Sequence, residues 1–159
     1  MRILFVCLGN ICRSPLAEGL FRHAAAQAGL GDRVAVDSAG TGDWHCGEAP
    51  DPRAITVAAR YGIDISGQRA RQIRREDFHA FDLILGMDHA NVNHLTRMAA
   101  HDGTAEIDLF LARATGERRD VADPYFGEAA GFQTAYDDIK AGAEALAAGL
   151  AMPVSRDSG

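Results

Sequence analysis

The sequence predicts an α/β fold, a doubly wound three-layer sandwich around a central, mostly four-stranded parallel sheet. Three observations predict it. The chain opens on Ile3-Leu4-Phe5-Val6-Cys7, an unbroken apolar run of the kind a strand covered on both faces requires. About the first forty residues then spell strand, loop, helix, strand, the order of a parallel crossover unit. A further apolar run, Phe81-Asp82-Leu83-Ile84-Leu85-Gly86, reads as a third buried strand.

The elements follow in order. Gly9-Asn10 breaks the first strand, and Ser14-Pro15 reads as a helix start, with Ser14 at the cap and Pro15 in the first helical position. Leu16, Leu20, Phe21 and Ala24 recur at helical spacing, and Gly29 ends the helix. Val34 to Ser38 is the second strand; Gly40 to Pro52 is a loop rich in Gly, Pro and Asp that carries Trp44. Pro52 to Tyr61 reads as a helix closed by Gly62, Arg74 to Phe78 as a short helical turn, and Asp88 to Met98 as a helix. Glu106 to Phe110 is a short fourth strand, Gly116 to Gly131 a polar loop, and Gly131 to Leu150 a long Ala-rich helix that serves as a core layer.

The length of 159 residues fits one domain over 1–151 with a flexible tail at 152–159. A net charge of −6 without a basic patch disfavours nucleic acid as a partner. Three cysteines, Cys7, Cys12 and Cys46, do not make a secreted disulfide framework. The opening apolar run is too short for a signal-peptide core or a membrane span, so a cytoplasmic protein without membrane association is expected. His45-Cys46 has no second Cys or His at ligand spacing, so no metal is assigned and the pair reads as structural or solvent-exposed.

The segment that carries chemistry is Cys7-Leu8-Gly9-Asn10-Ile11-Cys12-Arg13-Ser14. In doubly wound sheets ligands bind beyond the carboxyl ends of the strands, and Cys7 ends the first strand. Five residues between Cys7 and Arg13 suffice to curl the chain so that successive N–H groups point inward, an anion nest closed by a helix start. Arg13 can grip two oxygens of a phosphate with its fork. Gly9 can supply an unusual backbone angle, and Asn10 tolerates the left-handed region. Cys7 at the floor of this nest is favoured as thiolate by the same dipoles and by Arg13, and the Ser14 hydroxyl can donate to the sulfur. An isolated cysteine usually just packs, and a bare Cys-x5-Arg leaves that reading open; the strand before it and the helix start after it favour function.

Val6-Cys7-Leu8-Gly9-Asn10-Ile11-Cys12-Arg13-Ser14-Pro15 resembles the signature loop of the low-molecular-weight protein-tyrosine phosphatases. The resemblance continues through Ala17-Glu18, Asp37-Ser38-Ala39-Gly40, Ala70-Arg71-Gln72, Asp77-Phe78, Phe81-Asp82, Met87-Asp88 and Asp123-Pro124-Tyr125, in the expected order along most of the chain. It implies hydrolysis of phosphotyrosine through a cysteinyl-phosphate, with Cys7 as nucleophile, Arg13 as phosphate clamp and Asp123 as general acid and base. It implies oxyanion binding by Leu8, Gly9, Asn10, Ile11, Cys12 and Ser14, and Ile11, Trp44 and Tyr125 as walls for an aromatic ring. Asn10, Ser14, Ser38 and Asp88 match positions that hold the loop. Cys12 matches a partner in a reversible disulfide with Cys7. No cofactor is implied; the partners are phosphotyrosine-containing proteins and inorganic phosphate or another oxyanion in the loop, and the chain is expected to be a monomer or weak dimer.

Two departures stand out. Gln68 lies where bacterial relatives often carry a histidine that supports the phosphate loop, and an amide there is expected to support it differently. Phe126 replaces a second tyrosine, removing a phosphorylation position. The alternatives on the same fold are a protein-arginine phosphatase, for which Ile11 and Tyr125 are a poor match, and an arsenate reductase, for which Cys46 alone is a poor match. A non-catalytic phosphate-binding or redox-sensing module is disfavoured by Cys7, Arg13 and Asp123 occurring together.

Overall fold

The computed structural model describes residues 1–99 and 103–152. Of the tail expected at 152–159, only Met152 falls among the described residues. Four strands, β1 (Arg2–Cys7), β2 (Ala35–Gly40), β3 (Leu83–Gly86) and β4 (Glu106–Leu109), form one sheet in the order β2-β1-β3-β4, all parallel. The first strand is therefore central, which is why its sequence is apolar without alternation. Ile3, Phe5 and Cys7 face one layer, and Leu4 and Val6 the other.

The larger layer holds α1 (Arg13–Gln27), α2 (Pro52–Ala59), α5 (Phe110–Thr115) and α6 (Ala129–Ala151). Phe5 anchors it, with ring centroids 5.7 Å from both Phe21 and Phe110. The long helix α6 buries Phe132, Ala135, Tyr136, Ile139, Gly142, Ala143, Leu146 and Ala147, a stripe of helical period on the core side. The smaller layer packs Phe78 of α3 (Asp77–Ala80) and Leu95 of α4 (His89–Ala99) against Leu4, Val6 and Ile84. None of the described helices is long and apolar enough to cross a membrane.

Three elements depart from expectation. The first helix starts at Arg13, not Pro15, and no side chain caps it, because the chain enters it directly from the curled loop and Ser14 turns to Cys7. The fourth strand ends at Leu109, and Phe110 opens a six-residue helix that closes on left-handed Gly116 (φ 85°). Burial of Phe110 and Leu111 in the larger core settles that turn, which a short apolar run leaves ambiguous. The last helix starts at Ala129, so Gly131 lies inside it.

Register places the chemistry. Cys7 pairs with Gly40 and Val6 with Gly86, so the carboxyl ends of three strands lie side by side and their loops share one edge.

Close approach of α5 and α6 depends on Gly142, where an added Cβ would sit 2.6 Å from the Phe110 ring. Phe110 is fully buried and has no room to swing. Gly142→Ala is expected to lower stability by about 1–3 kcal/mol despite alanine's higher helix propensity. Gly149→Ala, with open space around the new methyl, is expected to raise it by up to about 1 kcal/mol. Urea midpoints of the two variants check the opposite signs.

Candidate active site

The loop after β1 curls as the Cys-x5-Arg spacing predicts. Ser14 Oγ lies 3.0 Å from Cys7 Sγ, and the Ser14 N–H points at the same sulfur at 3.4 Å. The backbone N–H groups of Gly9 to Arg13 donate to no protein acceptor among the described residues. Buried amides normally find a partner, so this row of donors suits an oxyanion. The left-handed residue is Asn10 (φ 58°), not Gly9.

Asn10 does not line the cavity; it braces the loop from behind. Its Nδ2 donates to Ser14 Oγ (2.8 Å) and to Ser38 Oγ (3.0 Å), and its Oδ1 accepts from the Arg71 N–H (2.9 Å). Each hydroxyl, having accepted from Asn10, is left to donate. Ser38 donates to Glu18 Oε1 at 2.7 Å, and Ser14 is left facing the sulfur. The direction of this chain suits an acceptor at Cys7, which a thiolate is. Arg71 in turn is fixed by Asp37 and Asp77; burial works against its charge, but the two carboxylates outweigh it and hold its pKa above the ordinary value.

Arg13 is buried. Its Nη1 donates to Asp88 Oδ2 and to the Val121 carbonyl, both at 2.8 Å, and its Nη2 lies 3.4 Å from Asp123 Oδ2. Burial opposes the guanidinium charge, but Cys7, Asp88 and Asp123 outweigh it, so its pKa is raised. With both Nη1 hydrogens engaged, the Nε–Nη2 edge remains for a bidentate oxyanion. Asp123 is thus brought to the nucleophile's side of the molecule, which sequence spacing left open. Its second oxygen accepts from the Tyr125 N–H at 3.1 Å, so it turns back on its own loop.

A cavity of about 260 Å³ rises from this floor, lined by Cys7, Leu8, Gly9, Ile11, Cys12, Arg13, Trp44, Asp123 and Tyr125 together with His45 and Phe126. Of the residues expected to bind substrate, Asn10 and Ser14 alone do not line it; they act from beneath. Cys12 is a free, buried thiol, and burial, with the negative charge of Cys7, Asp51 and Asp123, pushes its pKa up, so it stays protonated beside the nucleophile.

Sequence reasoning missed four contributors. His45 was read as structural or solvent-exposed, yet it faces the cavity, with its ring 6.0 Å from that of Tyr125 and Nδ1 3.1 Å from Glu48. Phe126 was read only as a lost tyrosine. Glu18 was legible in principle, lying four residues beyond Ser14 on one helix face. Arg53 left no local signal: its fork holds Asp51 and the carbonyls of Tyr125 and Gly127, tying the start of α2 to the aspartate loop. Asp51 also caps α2; burial would raise its pKa, but Arg53 overrides this and lowers it. Gln68 does not support the phosphate loop as expected. Its Nε2 donates to the Pro15 carbonyl at 3.0 Å, in the first turn of α1, while Asn10 is held by Ser38 and Arg71. Among the described residues no group of three His, Cys, Asp or Glu is placed to hold a metal ion.

A thiol beneath a guanidinium at a strand-to-helix turn, with a carboxylate at the mouth, is the arrangement of a cysteine-dependent phosphatase. Comparison with known proteins narrows the class. The family model described as low molecular weight phosphotyrosine protein phosphatase matches residues 2–156. The chain is 41% identical to a Bacillus subtilis protein named low molecular weight protein-tyrosine-phosphatase YfkJ, over 93% of this chain and 94% of the relative. It is 40% identical to the low molecular weight phosphotyrosine protein phosphatase of Sus scrofa, over 84% and 85%. The crystal structure of YfkJ superposes with a TM-score of 0.87 over 94% of each chain. That of DARP, a Drosophila arginine phosphatase 32% identical to this chain, superposes with 0.85 over 94% of this chain and 98% of that one. The chain belongs to the low molecular weight phosphotyrosine protein phosphatase family.

The Asn10 brace has a measurable size. Asn10→Ala combines left-handed strain of about 1–2 kcal/mol with lost buried hydrogen bonds of about 1–3 kcal/mol. Asn10→Gly removes the bonds alone and is expected to be the more stable variant by about 1 kcal/mol. Guanidinium unfolding of the pair measures the difference.

Proposed function

We propose that this chain hydrolyses phosphotyrosine in proteins, with residues 1–151 acting as one phosphatase domain. The observation that carries the reading is the joint placement of Cys7, Arg13 and Asp123 on a single cavity, with Ser14 Oγ 3.0 Å from the sulfur. In the first step the Cys7 thiolate attacks phosphorus in line. The Nε–Nη2 edge of Arg13 and the amides of Gly9 to Arg13 hold the equatorial oxygens, so positioning and electrostatics do most of the catalysis. Asp123, as general acid, gives a proton to the phenol oxygen as the P–O bond breaks. In the second step Asp123 takes a proton from water as the water oxygen bonds to phosphorus. The P–S bond breaks, and the Ser14 hydroxyl and N–H receive the thiolate.

The cavity's size supports an aryl substrate. About 260 Å³ is just under the roughly 300–1,000 Å³ of drug-sized sites. Ile11, Trp44, Tyr125 and Phe126 give it apolar, mostly aromatic walls that suit a phenyl ring.

Turnover of p-nitrophenyl phosphate in the presence of EDTA tests the chemistry. Cys7→Ser is expected to abolish it, and Asp123→Ala to lower kcat by about 10²–10⁴-fold. Activity that survives Cys7→Ser, or that chelation removes, overturns the mechanism. Matched phosphotyrosine and phosphoarginine peptides separate this reading from arginine phosphatase activity.

Cys12 serves this reading as a guard. Peroxide oxidises the Cys7 thiolate to the sulfenic acid; the Cys12 sulfur then displaces its hydroxyl as water, and a disulfide forms. Peroxide inactivation is expected to reverse with dithiothreitol in the wild type and to be largely irreversible in Cys12→Ala. Equal recovery of the two removes the guard role.

A further inference from the structure

The rim of the cavity differs from its floor. Six large apolar side chains are well exposed among the described residues: Met1, Leu8, Trp44, Tyr61, Phe126 and Met152. Three of them, Leu8, Trp44 and Phe126, line this one cavity. Phe126 is 94% exposed and Trp44 66%, so most of each ring lies outside the volume that a phosphorylated ring would fill. Scattered exposed hydrophobics need no explanation, but a set gathered at one mouth marks a contact surface.

The placement is built. The Trp44 indole lies over Gly42, where an added Cβ would fall 1.9 Å from the ring, so the missing side chain is what lets the ring rest at the wall. Phe126 stands edge-on to Tyr125, with centroids 4.8 Å apart.

Carboxylates predominate on the loops of the rim. Two of the loops that form it, 41–50 and 121–130, carry four carboxylates, Asp43, Glu48, Asp123 and Glu128, and no Lys or Arg. The nearby cation Arg53 is occupied by Asp51 and by the Tyr125 and Gly127 carbonyls. Arg13 is buried on the floor and committed to Asp88 and Val121. His45, which also lines the cavity, is paired with Glu48, its Nδ1 3.1 Å from the carboxylate. Among the described residues an acidic neighbour of the phosphotyrosine therefore meets carboxylates and cations already engaged by the protein, whereas an apolar neighbour meets Leu8, Trp44 and Phe126.

We infer that the rim selects phosphotyrosine segments whose neighbouring side chains are apolar and discriminates against acidic ones. The inference rests on the phosphotyrosine reading above and adds the class of segment that it acts on. Trp44 and Phe126 cover the flanking residues after the ring has entered, so the preference appears in KM and in kcat/KM more than in kcat.

The test uses three phosphotyrosine peptides of one length, with Leu and Ile, with Asp and Glu, or with Lys and Arg beside the phosphotyrosine, and p-nitrophenyl phosphate as a reference for the chemistry. The apolar peptide is expected to have the highest kcat/KM, by about tenfold over the acidic one, the size of half-burying one large apolar side chain. Phe126→Ser is expected to shrink the apolar-to-acidic ratio, read within that variant, and added salt to lessen only the acidic penalty. Tight binding of the apolar peptide to Cys7→Ser should shift the emission of Trp44, the single tryptophan. Ratios within about twofold for all three peptides, or a basic peptide faster than the apolar one, overturn the inference and leave the phosphatase reading standing. So does a dimer that forms through this rim and is dissolved by Phe126→Ser with the ratio flat. Turnover of the reference compound with none of the peptides overturns the phosphotyrosine reading and the rim preference together.

Discussion

A guanidinium removed from water organises this molecule. Arg13 lies at the junction of loop and helix, and burying its charge carries a desolvation penalty of several kcal/mol, which only close partners offset. Those partners come from elsewhere in the chain: Asp88 just after β3, and Val121 and Asp123 from the loop before α6. One side chain therefore fastens the ends of β1 and β3 and the loop before α6 to one another. The geometry that stabilises the fold also leaves the remaining edge of the fork uncommitted on the wall of the cavity that holds Cys7. Removing a partner leaves a buried charge without compensation, so the clamp and the fold share their fate.

The loop around that cation is held by directed polar contacts rather than by packing. Glu18, Ser38, Asn10 and Ser14 form a line in which the Asn10 amide donates to both hydroxyls, Ser38 donates on to Glu18, and the Ser14 hydroxyl faces the sulfur. A buried network of this kind fixes one arrangement because any reversal leaves a polar atom without a partner. It explains why a residue in the left-handed region is Asn rather than Gly: the side chain does the holding while the backbone takes the unusual angle. The apolar rim side chains Leu8, Trp44 and Phe126 line the same cavity and take no part in that network.

The division of legibility follows from the range of the interactions. The first strand was readable because a central parallel strand is apolar at every position, and Ile3 to Cys7 meet the core on both sides. Cys7, Arg13 and Ser14 were readable because a curl of fixed length needs fixed spacing. Ser14 was nevertheless misassigned as a cap, since local propensity ranks it there and only the nearby sulfur draws it away. Phe110 to Thr115 was missed as a helix because six residues with two large apolar ones, adjacent to each other, carry no period. His45 and Arg53 were missed because what they do is face or tie segments distant in sequence.

The sequence alone determined the layer order of the fold, the curled loop from Cys7 to Arg13 and the resemblance that pointed to Asp123, because strand patterning, loop length and motif are local properties of the chain. Tertiary structure decided which carboxylates partner Arg13, which side chains close the cavity and where Gln68 points. Those depend on parallel strands ending side by side, a juxtaposition that packing creates and that no interval along the chain encodes.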